Sequence, residues 1–149
     1  MENFKWYNLI LVISMITCSI FCFSCSNDNG MEERSKSVYR VVLIASGEDY
    51  SAEANIANLS NVSLYDETKG EDLGRNSILE DFTGTVRYST MDKVEYFTAQ
   101  GLITSKKPAT LLMTVFKDGA TIYSKSVSII PSGDGMRNIT KDLVFTNIK

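Results

Sequence analysis

From Val38 onward the chain alternates short apolar runs with turn residues. Tyr39 to Ala45 is rich in β-branched residues and too short for an independent helix, so it predicts a strand that is buried on both faces. Val62 to Asp66 and Ile139 to Ile148 predict further strands. Because such runs recur at the spacing of a sandwich, the pattern predicts an all-β domain over residues 38–149, an antiparallel β-sandwich of about seven to eight strands.

The clearest predicted element is a hairpin late in the chain. Thr110 to Lys117 and Ala120 to Ile130 are two β-rich runs, and Asp118-Gly119 lies between them. An Asp-Gly pair in this position favours a hairpin because both turn residues tolerate a positive φ. Alternation within the first run predicts that its odd-numbered apolar residues share one face: Leu111, Met113 and Val115.

Two stretches have less regular patterns. Ala52 to Leu59 alternates small apolar and polar residues as a strand does, but its alanine content also permits a helical turn. Ile78 to Phe82 and Thr85 to Tyr88 are separated by Gly84. A glycine inside a strand pattern predicts a bulge or a bend within one extended segment.

The first 24 residues have the pattern of an export signal. A weakly positive start is followed by an uncharged apolar run of 15 residues, from Leu9 to Phe23. A signal-peptide core needs roughly 7–15 such residues, whereas a membrane-spanning helix needs about 20. The run therefore predicts a cleaved signal peptide over residues 1–24, with an uncleaved membrane anchor as the alternative.

The end of this run resembles a lipobox, in which a small residue precedes a cysteine that is acylated and becomes the mature N-terminus. Ser24 is the small residue and Cys25 the acylated cysteine, while Cys22 lies where leucine is usual. All three cysteines lie at or before position 25, which favours lipid attachment over a disulfide. Residues 25–37 are then the lipidated Cys25 and a polar tether. We expect an exported protein held at the outer membrane or cell surface by this lipid.

Two resemblances extend this interpretation. The residues after Cys25 resemble the Ser/Asp-rich export signal of small Bacteroidetes-type surface lipoproteins. The domain resembles the soluble domain of MmpS-type envelope proteins. The resemblance lies in the order Tyr39-x-Val41-x-Leu43, a polar strand near Asn58, Thr85-Val86, Tyr96-Phe97-x-x-Ala99-Gln100 and Thr114-Val115-Phe116-Lys117-Asp118-Gly119. The second resemblance implies a single Ig-like antiparallel β-sandwich that works as an accessory to membrane transporters.

Composition argues against several kinds of chemistry. The chain has no histidine, no cysteine after position 25 and a net charge of −3. It therefore lacks the usual general base and the commonest metal ligands, and its mild acidity argues against nucleic acid as a partner. The acidic pairs Asp66-Glu67, Glu71-Asp72 and Glu80-Asp81 lack EF-hand spacing, so we expect solvated turn and edge charges. We expect no enzymatic activity, no cofactor and no metal, and the competing class is an enzyme that uses carboxylates alone.

Binding is the function class that remains. We expect a non-catalytic protein-binding or transporter-accessory module with a protein partner in the cell envelope. The alternative is a surface lipoprotein that binds a glycan or small molecule, which requires a concave site lined by tyrosines. Tyrosine suits such a site because it offers a flat apolar face with a polar tip. The candidate contacts are Tyr50, Tyr65, Tyr88 and Tyr96, with packing in the core as the competing interpretation.

Overall fold

The alternating apolar residues form strands whose buried sides face one another. The computed structural model describes residues 35–131 and 137–148, so the predicted signal peptide, Cys25 and most of the tether lie outside the described residues. The described part of the chain contains ten strands: β1 (Tyr39–Gly47), β2 (Tyr50–Asn58), β3 (Leu64–Asp66), β4 (Glu71–Asp72), β5 (Ser77–Phe82), β6 (Thr85–Thr90), β7 (Phe97–Ser105), β8 (Ala109–Lys117), β9 (Ala120–Ile129) and β10 (Ile139–Thr146).

These strands form two antiparallel sheets that pack against each other. One sheet has six strands in the order β4, β3, β6, β1, β8, β9, and the other has four in the order β10, β7, β2, β5. The predicted all-β sandwich is confirmed. The described residues form ten strands instead of seven to eight for two reasons. The short strand β4 is formed by Glu71 and Asp72, within the stretch Thr68 to Asp72 whose charges around Gly70 predict a turn, and the predicted segment around Gly84 is two separate strands.

The core lies between the two sheets and is built from one face of each long strand. Tyr39 of β1 stacks on Phe97 of β7, with 4.9 Å between the ring centroids, and so joins the two sheets. Burying one large apolar side chain contributes roughly 1.5–3 kcal/mol, so burial of this core is the main favourable term in folding. Its largest fully buried members also include Tyr88, Leu43, Ile56, Leu64, Ile103, Leu111 and Met113.

The first strand is buried on one face only, so the prediction of burial on both faces is wrong. Tyr39, Val41 and Leu43 are buried, whereas Ile44 is 37% exposed. Burial on both faces requires a further layer outside the sheet. Within the described residues, no helix or third sheet covers the outer face of β1.

Gly84 lies where the chain passes from one sheet to the other. It has φ of 67° and separates β5, in the four-stranded sheet, from β6, in the six-stranded sheet. The prediction of a bend within one extended segment is therefore wrong in its connectivity, although the backbone does bend there. The ambiguous stretch from Ala52 to Leu59 falls mainly in β2, where Ala52, Ala54 and Ile56 face the core.

The predicted hairpin is confirmed. β8 and β9 pair on either side of Asp118 and Gly119, whose φ angles are 49° and 84°. Leu111, Met113 and Val115 share the core-facing side of β8, as predicted. In the described ranges no helix is long and apolar enough to cross a membrane.

Candidate functional site

A cleft opens at the edge of the sandwich where the chain passes from β5 to β6. We call it the open-edge cleft, and its volume is about 440 Å³. β5 is an edge strand of the four-stranded sheet, so no further strand of the described residues closes this side. The lining residues are Tyr50, Ser51, Ala52, Lys69, Glu80, Asp81, Phe82, Thr83, Val86 and Tyr88.

Tyr50 gives the cleft a fixed apolar wall. Its hydroxyl donates a hydrogen bond to the carbonyl oxygen of Ala45 at 3.1 Å. It also accepts one from the backbone N–H of Gly84 at 3.0 Å. The ring is thus tied both to the end of β1 and to the bend between β5 and β6. The partly buried Val86 and the buried Phe82 add further apolar lining to the cleft.

The polar end of the cleft begins at Asp66, the last residue of β3, which is 1% exposed. Its Oδ1 accepts hydrogen bonds from the backbone N–H groups of Thr68 and Lys69, at 2.8 and 3.0 Å. No described residue donates a hydrogen bond of good geometry to its Oδ2. The Lys69 Nζ lies 3.2 Å from Oδ2 and forms an ion pair with it. The expectation that Asp66 is a solvated charge is wrong, because it faces inward beside buried strands.

Glu80 connects the two sheets at the polar end. It forms an ion pair with Arg75, and its Oε2 lies 3.6 Å from the Lys69 Nζ. The pKa of Lys69 is raised by its contact with Asp66 first and by the charge of Glu80 next. Lys69 therefore remains an ammonium group with a carboxylate on either side.

Tyr88 is the second predicted tyrosine that lines this cleft. It is the Cα partner of Asp66 in the β3–β6 ladder and is buried. Burial, followed by the negative charges of Glu80 and Asp66, raises the pKa of Tyr88 to about 12. Its hydroxyl therefore remains protonated beside the Glu80 carboxylate.

The other two predicted tyrosines lie elsewhere. Tyr65 is on β3, where alternation directs it to the opposite face from Asp66, and it is partly buried. Tyr96 precedes β7, is partly buried, and does not line the cleft. The structure therefore brings Tyr50 and Tyr88 together and leaves Tyr65 and Tyr96 apart from them.

Lys69 and Glu80 belong to this site although the sequence pattern did not single them out. Glu80 was assigned with Asp81 to solvated edge charge, yet only Asp81 of the pair is exposed. The sequence of β5 contains a local indication of this direction. Ile78 and Phe82 are buried, and Glu80 lies two residues from each, so all three share one face of the strand. Alternation alone would have directed the Glu80 side chain into the sandwich.

The outer face of the four-stranded sheet forms a second notable surface. Asp142, Leu102, Glu53 and Asp81 are neighbours across β10, β7, β2 and β5 in one register row. We call this surface the acidic face, and none of the outward positions of its four strands is Lys or Arg. Glu53 lies directly opposite Asp81, and none of the described residues forms an ion pair with either.

Exposed apolar side chains accompany these carboxylates. Leu79 is 64% exposed at one edge of the acidic face, and Val144 is 49% exposed at the other. They belong to the neighbouring register row, with the amide side chains of Asn55 and Gln100 between them. The acidic face thus combines unpaired negative charge with accessible apolar area.

Comparisons with models of known protein families and with curated proteins find no match. Three solved structures are similar in fold. A domain of unknown function, DUF4425, from Bacteroides vulgatus is 16% identical with a TM-score of 0.64, over 74% of this chain and 94% of that one. A DUF4425 family protein from Bacteroides ovatus is 18% identical with a TM-score of 0.63, over 77% and 98%.

The third structure is the calcium-bound form of a protein from Parabacteroides distasonis. It is 20% identical with a TM-score of 0.55, over 77% of this chain and 99% of that one. At sequence identities of 16% to 20%, the likeness is one of fold alone. The three neighbours therefore support a sandwich that is found in proteins of Bacteroides and Parabacteroides.

Proposed function

We propose that this protein is an exported lipoprotein, held at the outer membrane or cell surface by lipid on Cys25. Its β-sandwich would act as a non-catalytic protein-binding or transporter-accessory module. The lipobox-like residues and the resemblance to MmpS-type envelope proteins support the location. The observation that carries the binding role is the acidic face, whose charge arrangement costs stability in the free protein.

That cost arises from Glu53 and Asp81. Directly opposite residues on neighbouring strands have Cβ atoms about 4.5–5.5 Å apart, and like charges in this position are destabilising. No basic side chain on the acidic face offsets the repulsion. A partner with basic side chains would relieve it, while Leu79 and Val144 would supply apolar contact.

Site-specific crosslinking in cells tests this proposal. A photoreactive side chain is placed at Leu79 in the full-length lipoprotein, and a matched one at the exposed Ser126 on the other sheet. We expect an adduct with one envelope protein from position 79 and none from position 126. The adduct should be lost in the Cys25→Ala variant, which cannot be anchored by lipid.

The variant Glu53→Lys separates binding from folding. It replaces the repulsion with Asp81 by attraction, so the free energy of unfolding should rise by about 0.2–1 kcal/mol. The crosslink from position 79 should nevertheless be lost, because the partner would meet a positive charge. Equal adducts from positions 79 and 126, or an unchanged adduct in Glu53→Lys, would contradict the proposal.

The open-edge cleft favours a second candidate function, the binding of a glycan or small molecule. This function requires a concave site lined by tyrosines, and Tyr50 and Tyr88 both line the cleft. Ligand sites commonly have volumes of about 300–1,000 Å³ and combine apolar walls with a few fixed polar groups. The cleft meets both criteria, since Lys69 and Glu80 supply fixed charges at one end.

The solved structure of the Parabacteroides distasonis neighbour is its calcium-bound form. Calcium takes six to eight oxygen ligands. In the described ranges of this chain, no three His, Cys, Asp or Glu side chains are grouped to hold a metal ion. The Asp66 Oδ2, which accepts no hydrogen bond, has the Lys69 ammonium at 3.2 Å, where a cation would lie. This donor set does not fit calcium.

A further inference from the structure

The polar end of the open-edge cleft is balanced in charge. Asp66 and Glu80 contribute two negative charges, and Lys69 and Arg75 contribute two positive charges through three of the ion pairs described above. Asp81 also lines the cleft, but alternation along β5 directs its side chain to the acidic face. A ligand with a net charge would therefore have to compete with an ion pair that is already formed.

The same groups retain hydrogen-bonding capacity. An ammonium group has three N–H donors. The Lys69 Nζ approaches one oxygen of Asp66 at 3.2 Å and one of Glu80 at 3.6 Å, and its side chain is 57% exposed. Two carboxylate oxygens accept about four hydrogen bonds. The Glu80 carboxylate pairs with Arg75 and lies beside the Tyr88 hydroxyl, which leaves acceptor capacity next to the free donors of Lys69.

A donor and an acceptor side by side match the adjacent hydroxyl groups of a sugar ring, because each hydroxyl both donates and accepts. The apolar C–H face of such a ring also requires a flat, rigid wall. Tyr50 supplies this wall, because hydrogen bonds to the carbonyl of Ala45 and from the N–H of Gly84 hold its ring in one position. Little side-chain entropy is lost on binding to a wall that is already ordered.

We propose that the open-edge cleft binds a neutral sugar ring, either free or at the end of a glycan chain. Lys69 donates to one ring hydroxyl and Glu80 accepts from its neighbour, while the ring packs against Tyr50 and Val86. This inference names the ligand class of the second candidate function and rests on it.

Calorimetric titration and saturation-transfer NMR of the full-length protein in a sugar-free detergent test this inference. The neutral probes are glucose, N-acetylglucosamine and maltotriose, and the matched charged probes are glucosamine and glucuronate. We expect saturable binding of a neutral probe, with a dissociation constant on the order of 1 mM for a single ring. Tighter binding of maltotriose than of glucose would identify a glycan chain as the source of the ring.

Four substitutions locate the binding. Glu80→Gln and Lys69→Met should each weaken it at least about tenfold, because the first replaces a charged acceptor by a neutral amide and the second removes a charged donor. Both residues also take part in the ion-pair network, so either substitution could abolish binding by disturbing the fold. A third variant therefore blocks the cleft without changing that network. Thr83→Trp places a bulky ring in the cleft at an exposed position, and Thr121→Trp is its exposed control on β9. Binding should be lost in Thr83→Trp and retained in Thr121→Trp.

Three results would overturn the inference. They are no saturable binding of any neutral probe, binding of glucosamine or glucuronate alone, and binding that persists in Thr83→Trp. The Glu53→Lys variant distinguishes this inference from the protein-binding proposal, because it alters the acidic face and leaves the open-edge cleft intact. Sugar binding should be unchanged in Glu53→Lys even though the crosslink from position 79 is lost.

Discussion

At the residue scale, Asp66 determines how the polar end of the cleft is built. Its carboxylate caps the turn after β3 through two backbone N–H groups and faces Lys69 with its other oxygen. One buried side chain thus fixes the turn that carries Lys69 and orients the ammonium. The cleft and the local stability of this edge therefore depend on the same residue.

The substitution Asp66→Ala tests this dependence. It leaves the N–H groups of Thr68 and Lys69 without their acceptor, so we expect the free energy of unfolding to fall by about 2–3 kcal/mol. Glu71 is the matched control because it is the exposed Cα partner of Asp66 in the β3–β4 ladder. Glu71→Ala should change stability by less than about 0.5 kcal/mol. Urea unfolding measures both, and an equal effect of the two changes would contradict the assigned role of Asp66.

The raised pKa of Tyr88 predicts that the free energy of unfolding depends on pH. Its pKa is raised to about 12 in the folded chain, chiefly by burial, whereas an exposed tyrosine titrates near 10. Between these values the unfolded chain loses the proton first, so the stability gained from a neutral Tyr88 is complete below about pH 10. It is lost as the pH rises through about 12. Unfolding measured across this range should show the decline, and Tyr88→Phe should lose this component while retaining the dependence caused by other groups.

At the element scale, local sequence predicted most strands but not the connections between sheets. The Asp118-Gly119 turn fixed the β8–β9 hairpin because the two strands are adjacent along the chain. Gly84 marked a bend equally well, yet the sheet that each flanking strand joins is decided by pairing with distant residues. β5 pairs with β2 and β6 with β1, so this crossing point and its cleft depend on long-range contacts.

The hairpin turn supplies a test at this scale. Gly119 has φ of 84°, and a Cβ added there would meet no atom within 4 Å. Gly119→Ala should therefore reduce the free energy of unfolding by about 1–2 kcal/mol through backbone strain alone. Gly119→Asn is the control, because asparagine tolerates the left-handed region better than alanine. If urea unfolding ranks alanine as the milder change, the strain explanation is wrong.

At the scale of the whole molecule, the sequence predicted the sandwich but located only part of the candidate site. Tyr50 and Tyr88 were candidates by residue type, and the structure brings them to one cleft. Glu80 was missed because a charged residue on an edge strand is usually solvated, and its burial depends on which strands pack over it. Lys69 was missed because it lies in the turn after β3 with its side chain 57% exposed. The alternation of β5 around Glu80 was the one local signal of the inward direction.

Export and anchoring also belong to the whole molecule, and Trp6 provides the test. It is the only tryptophan of the chain and lies within the predicted signal peptide. If cleavage occurs before Cys25, untagged protein extracted from membranes should show tyrosine emission without a tryptophan contribution. The Cys25→Ala variant is the control, because a chain without the lipidation cysteine is not processed by the lipoprotein route and should retain Trp6. Tryptophan emission from the extracted wild-type protein would instead identify an uncleaved anchor, with the domain held at the membrane by the Leu9–Phe23 run and not by lipid.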